Sequence, residues 1–421
     1  MIVRREPKYV RRRRIALLVV LAFLALMVLG VSRLVGALAG GDAAAAPALR
    51  PAVTATAAPT PSAPTIPVPT RSPAEPQGAP GPSAETALVR VQRLTGDLAP
   101  KSVVASAQGL VFAQNMMYKH TVSAFRADGA LLRTIPDAVD LAGFGITGHP
   151  GTSRGAPVEM AFSPDGKHAW VSNYAMYGKG FGPEGLDTCT AGDGTETSFV
   201  YQVNTSTFAI EKVVAVGAVP KYVAVTPDGR RVLVTNWCSA DLSVIDTTSA
   251  KEVARIPLRG QHPRGIAVSP DSGTAYIALM GSDRLVRVDL GSASVSDYAR
   301  TGDGPRHLVV SRDGKHLFVT NNGDGTVSKL DRVSGRVVKW VRTGKEPRSL
   351  AISSDGGAVY SVNYESSTVT KLRTSDLSTI DQVPTEHHPI GITYEPTRKA
   401  VWVACYGGSI LVFDDSRRPV A

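Results

Sequence analysis

Residues 318–326 read FVTNNGDGT: four residues suited to a strand, ending in Asn321, followed by a run of turn formers. Those first four letters return, with variations, as FAQN (112–115), WVSN (170–173), LVTN (233–236), YIAL (276–279), YSVN (360–363) and WVAC (402–405). Repetition at a fixed period means one supersecondary unit stacked many times, and it governs every local reading. A proline marks the start of each unit. Pro220, Pro263, Pro305, Pro347 and Pro389 stand 43, 42, 42 and 42 residues apart, and each lies 16 residues before the end of its tetrad. Pro157 and Pro100 carry the series backwards, giving seven units.

Within a unit, Gly265–Ser269 is short, apolar and β-branched, Pro270-Asp271-Ser272-Gly273 is a turn, and the tetrad is a second strand. Leu285–Asp289 alternates as a third strand, and Val337–Val341 illustrates a fourth. Four antiparallel strands in about 42 residues make one propeller blade. The seventh unit has only three strands after Pro389, ending at Leu411–Asp414, while Leu88–Gly96 has the look of the missing fourth. The predicted fold is all-β, a seven-bladed β-propeller over 86–416, closed by an N-terminal strand so that no sheet edge is left at the junction.

With tetrad, x-P-D-G turn and proline-led first strand recurring in register, residues 86–415 resemble the YVTN-repeat β-propellers, bacterial and archaeal proteins found largely outside the cytoplasm. Similar blades occur in lactonases of the sugar-lactone type, amine dehydrogenase subunits and surface-layer proteins. The resemblance implies the fold and leaves the chemistry open.

The chain before the propeller is of another kind. Residues 1–14 form a basic tail of net charge +6, and residues 15–39 read as a transmembrane signal-anchor, with Ile15–Val31 an uncharged run of 17 residues. The basic flank places the N-terminus in the cytoplasm and the propeller outside; a cleaved signal peptide ending near Ala37-Leu38-Ala39 is the rival reading. Residues 40–85 are rich in Ala, Pro, Thr and Ser, with 11 of 29 prolines between Pro47 and Pro82, and read as a disordered stalk. Of the formal +10, six units belong to the tail, and residues 86–421 carry 36 basic against 32 acidic groups. The basic pI therefore points to membrane orientation and anionic lipid headgroups rather than to nucleic acid.

Function is expected on the face that carries the insertions. The interval Pro100–Pro157 is 57 residues and Pro157–Pro220 is 63, and the surplus falls at Asp137–Gly155, a glycine-rich loop with His149, and at Tyr174–Thr197. Loops on a rigid scaffold are where binding resides. Cys189 in the second insertion and Cys238 after the next tetrad lie on that face, and a disulfide between them would staple the insertion. Cys405 replaces a tetrad Asn and reads as a small, half-buried strand residue.

Five units place a cation after the leading proline: Lys101, Lys221, Arg264, Arg306 and Arg348, with Glu159 and Ile390 breaking the ring. First strands line a propeller's channel, so these side chains would focus field on a carboxylate, phosphate or acidic glycan. The alternative is that they bond the carbonyls and carboxylates of neighbouring blades. Tyr174, Trp237, Tyr364 and Tyr406 follow their tetrads and are read either as a rim platform for a sugar or peptide, or as covers for blade ends. His120, His149, His262, His307, His387 and His388 share this face, but without the spacing of a dedicated metal site, and neither metal nor cofactor is expected. No catalytic motif is present, and Gly178–Gly182 only mimics a dinucleotide loop. The expected function is a monomeric, membrane-anchored, extracytoplasmic scaffold for an anion, glycan or protein. The alternative is a lactonase-type hydrolase using Glu159, His307 or His388 as acid or base. The aspartates of the x-P-D-G turns, Asp165, Asp228, Asp271, Asp313 and Asp355, read as turn chemistry.

Overall fold

In the computed structural model, residues 82–175 and 188–418 are described. They form seven antiparallel sheets, each led by a first strand that touches the first strands of both neighbours, so the ring closes on itself. These inner strands are Ser102–Ala105, Thr152–Phe162, Pro220–Val225, Pro263–Val268, Pro305–Val310, Pro347–Ile352 and Pro389–Glu395, numbered here as blades one to seven. The expected closure is present. Val89–Leu94 is the outer strand of blade seven and pairs antiparallel with Ser409–Asp414.

The tetrad owes its letters to two tasks. Its apolar residues face the seams between blades, where Leu233, Ile277, Val319, Tyr360 and Val403 are wholly buried. Its Asn closes the turn after it: Asn321 Nδ2 donates to Thr326 Oγ1 (3.0 Å) and Ser328 Oγ (2.9 Å), and Asn363 repeats the pattern with Thr368 and Thr370. The x-P-D-G aspartates are turn chemistry as expected. In each turn the Ser or Thr hydroxyl donates to the Asp, from Ser163–Asp165 (2.6 Å) to Ser353–Asp355 (2.7 Å).

Three sequence expectations need correction. The stretch from Asp137 is not simply a loop, because Ala138–Asp140 pairs antiparallel with Thr152–Arg154 and adds a fifth strand to blade two. Between them Leu141–Phe144 is a 3-10 turn, capped by the Asp140 carboxylate on Ala142 N–H. Cys405 is fully buried in the core shared by blades six and seven, and that burial pushes its thiol up to about 12. The chain also docks earlier than composition suggests, with Ser83–Glu85 a 3-10 turn whose Ser83 N–H donates to Asp355 Oδ2 (2.8 Å). Among the described residues no helix is long and apolar enough to cross a membrane, and segment 15–39 lies outside them.

A buried ionic knot holds this N-terminal segment. Lys371 Nζ donates to Thr86 O (2.7 Å), Thr86 Oγ1 (2.8 Å) and Asp415, whose other oxygen accepts from Tyr360 Oη. Both charged side chains are fully excluded from solvent. One blade back, Lys329 at the same strand position donates to Thr374 O and Ser375 O, both at 2.8 Å. The N-terminal segment thus takes the place that a neighbouring blade's turn fills elsewhere.

Candidate functional site at the channel mouth

In blades three to seven the first strand opens on its proline, whose missing N–H is tolerated at a strand start, whereas in blade two Pro157 lies inside the strand and in blade one Pro100 precedes it. The register of the pairing shifts just after the proline in blades two to seven, as between Pro263 and Ile266 or Pro305 and Leu308. A bulge re-aims the side chains beside it. The residue before the proline is left-handed in blades three to seven, at Val219 (φ 56°), His262 (56°), Gly304 (63°), Glu346 (54°) and His388 (56°). Only blade five uses glycine there, so four non-glycine residues are held in a costly conformation at the mouth of the channel.

The five predicted cations come together in this mouth. Lys101, Lys221, Arg264 and Arg306 are buried, with Lys221 only 1% exposed, and Arg348 is half-buried. Burial, then Arg264, push Lys101 and Lys221 well below the usual ammonium range, and Arg306 is depressed by burial, Arg264 and Arg348. Arg264 acts on all three, which puts its guanidinium amid the group. Against them stands Glu159, buried, its carboxyl pushed up by burial and drawn back by Lys101 and Arg264. Glu159 does not interrupt the cation ring itself: Val158 occupies the position after Pro157, and Glu159 lies one residue further along. Ile390 interrupts it as expected.

Carbonyl bonding, the alternative role for these cations, does not engage three of their nitrogens. Lys101 Nζ, Arg306 Nε and Arg348 Nε are buried without a hydrogen-bond partner among the described residues. Arg348 is braced by Glu346 (2.8 Å) and by the face of Tyr364, 3.3 Å from its centroid. Several like charges gathered in low dielectric with so few counter-charges is a costly arrangement, which a bound anion relieves.

One residue beyond the cations the first strands carry a second ring. Four of its members are small. Ser102 Oγ donates to Val158 O (2.9 Å), Ser349 Oγ donates to Ile390 O (2.8 Å), and a Cβ on Gly265 would lie 2.6 Å from Arg306 O. A Cβ on Gly391 would likewise lie 2.8 Å from Ser102 Cα. These four let adjacent blades close together. The other three, Glu159, Tyr222 and His307, are large and polar, and Tyr222 of blade three is hydrogen-bonded to His307 of blade five. His307 Nδ1 accepts from Leu350 N–H (2.9 Å), and burial with Arg264 and Arg306 takes the imidazole down to about 3. The sequence offered His307 as an acid or base; both its nitrogens are engaged by neighbouring groups. Tyr222 was not legible as a site residue, since its partner lies 85 residues away in the chain.

The rim aromatics differ among themselves. Tyr174 (1% exposed) and Trp237 (8%) are buried, with Lys221 over both rings and His262 stacked on Trp237 at 4.3 Å, so their faces are taken. They act as covers. Tyr364 and Tyr406 are half-buried and meet edge to face at 6.3 Å, with His388 stacked on Tyr364 at 4.0 Å. The Cys189–Cys238 disulfide is present, with Cα atoms 5.3 Å apart, and His262 Nε2 reaches Cys189 O at 3.2 Å. Residues 176–187 of the second insertion, with the glycine string 178–182, lie outside the described residues.

Beside the mouth, Asp137 is buried and its carboxyl is pushed up to about 8 by burial, partly offset by the Tyr201 hydroxyl and Gly155 N–H. A carboxyl raised in the folded state stabilises fully below its unfolded value near 3.9 and loses that contribution as pH climbs through the folded value. Stability is therefore expected to decline between about pH 4 and pH 8, and Asp137→Asn should flatten that slope in denaturation midpoints measured across the range. An unchanged slope would remove Asp137 as its source.

Set beside known proteins, the chain falls with the propellers. The family described as "Lactonase, 7-bladed beta-propeller" matches residues 155–337, and the "Cytochrome D1 heme domain" family matches residues 301–411. Among solved structures, hydrazine synthase of Kuenenia stuttgartiensis aligns with TM-score 0.56 at 20% identity, covering 76% of this chain and 96% of that one. Virginiamycin B lyase from Staphylococcus aureus aligns with TM-score 0.59 at 14% identity, covering 78% and 99%. At such identities the likeness is one of fold. No curated protein sequence matches. A haem, which the second family's description brings up, does not fit these residues. His307 has no nitrogen left for iron, and His387 lies tilted against His388 at 3.5 Å, with His388 stacked on Tyr364 rather than in the cation ring.

Proposed function

We propose that this protein is a binding module whose channel mouth holds a small oxyanion carrying two or more negative charges. The observation that carries the reading is the cluster of Lys101, Lys221, Arg264, Arg306 and Arg348 against Glu159, with buried nitrogens of Lys101, Arg306 and Arg348 left without partners among the described residues. Guanidinium groups favour carboxylate and phosphate because two parallel N–H donors match two oxygens. Residues 15–39 anchor the chain in the membrane, and the propeller lies on the extracytoplasmic side. The basic flank and the uncharged run support that placement. Tyr364 and Tyr406, the less covered aromatics, border the same mouth and would contact a ligand larger than the anion itself. The protein acts as a monomer.

Calorimetric titration of the full-length protein with citrate and, separately, with inorganic phosphate tests the reading. Saturable binding is expected, weakening as pH rises, because Lys101 and Lys221 lose their protons at lower pH than ordinary lysines. Binding should take up protons, seen as a dependence of the measured heat on the buffer's ionisation enthalpy. No saturable heat with either anion would overturn the proposal.

A second reading, hydrolysis of a cyclic ester, draws on the match to the lactonase family over residues 155–337, which spans Glu159, Lys221, Arg264 and Arg306. Glu159 would be its base, with the cations holding a carboxylate. His307 is not available to it.

A further inference from the structure

Tyr222 spans from blade three to His307 on blade five, past the first strand of blade four, where Gly265 carries no side chain. A side chain that reaches across an intervening blade has its hydroxyl on the axis side of that blade, beneath the cations. The direction of its proton follows from the bonds around it. Leu350 N–H donates to His307 Nδ1 at 2.9 Å, so that nitrogen carries no proton. The neutral ring must then be protonated at Nε2, and the Nε2–H donates to Tyr222 Oη. Tyr222 has thereby accepted one hydrogen bond and still holds its own O–H, for which no acceptor stands among the described residues. Burial first of all holds the proton on the phenol, Glu159 adds to that effect and Arg264 opposes it, so the hydroxyl stays a donor.

We propose that Tyr222 is a ligand-contacting donor of the channel site and that His307 is the positioning residue that turns its O–H toward the bound oxyanion. The inference rests on the anion-binding reading above and adds a neutral donor to its cations. A guanidinium attracts any anion, whereas a fixed phenol O–H rewards an oxygen acceptor at one place. The site is therefore selective for carboxylate or phosphate over halide, and the shared chemistry is an oxyanion with several acceptor oxygens.

The test is titration of the full-length protein with citrate, inorganic phosphate and chloride. Tyr222→Phe is expected to weaken citrate or phosphate binding about tenfold or more, as for a lost hydrogen bond to a charged acceptor. The denaturation midpoint without ligand should fall by a few degrees at most, the cost of leaving His307 Nε2–H without its acceptor. Chloride binding should not change. His307→Leu is expected to lose as much affinity as Tyr222→Phe, while His307→Gln, which keeps an N–H at similar reach, should retain most of it. A loss confined to citrate or to phosphate assigns the donor's target to that class. If wild type binds and Tyr222→Phe binds equally well, the donor role is overturned while the anion site stands. If His307→Leu lowers the midpoint and leaves affinity intact, His307 is structural and the positioning role falls. If wild type binds neither oxyanion, both the inference and the function it rests on fall together.

Discussion

Asp415→Ala is expected to destabilise the protein by about 3–5 kcal/mol, lowering the denaturation midpoint by several degrees. The reason is what it leaves behind. Lys371 and Asp415 are both fully excluded from solvent, and the ammonium that loses its carboxylate keeps only the oxygens of Thr86. A buried charge without its partner costs far more than the pair contributes, so Lys371→Ala should be comparably harmful. The double variant Lys371→Met with Asp415→Leu should recover part of the loss, since an apolar pair of similar size carries no desolvation penalty. Hydrogen exchange at Val89–Leu94 is the more specific readout. The knot binds Thr86, and Leu88 N–H donates to Asp381 Oδ2 (2.9 Å), so the closing strand should lose protection before the other blades. Uniform loss of protection in all blades would mean that the knot is not a local fastener.

The second large effect is on binding. Replacing Arg264, Arg306 and Arg348 together by Ala is expected to weaken citrate or phosphate binding by at least about a hundredfold, since each hydrogen bond between charged groups contributes roughly 1.5–3 kcal/mol. Stability without ligand should move the other way or not at all. Arg264 and Arg348 depress Arg306, and Arg264 and Arg306 depress both lysines, so their removal relieves repulsion within a buried cluster. Lys101 and Lys221 should then bind protons more readily. A marked drop in the unligated midpoint would recast the arginines as structural cations bracing the blades, and the proposed function would lose its main support.

The blades are legible in the chain because the tetrad, the Asp turn and the proline recur at one spacing, and each letter has a local task. Asn321 closes its own hairpin, and Asp313 its own turn. The cation ring is legible for the same reason. The strand Ala138–Asp140 is hidden, because three residues pairing across a glycine-rich loop carry no alternation to read. Glu159 is misplaced by one position when its cation-ring neighbours are aligned on their prolines, and the bulge that follows each proline makes one position matter. The bond between Tyr222 and His307 leaves no trace in the order of residues, because it crosses a whole blade. The same holds for Lys371, whose partners Thr86 and Asp415 are 329 residues apart in the chain.

The pairing of Val89 with Asp414 and of Leu94 with Ile410 also sets a timetable. Chains emerge from the ribosome N-terminus first, and the strand made earliest has for its partner the strand made last. Until that partner exists, the first strand can only wait or find a wrong edge, and each finished blade exposes a seam to any passing chain. Joining the ends means closing a loop that spans nearly the whole propeller, an entropic cost that grows only slowly with length but offers no contacts until the loop is shut. Synthesis stopped before residue 409 should therefore yield an unclosed arc of blades, and the charged ring at its centre would have no circumference to hold it.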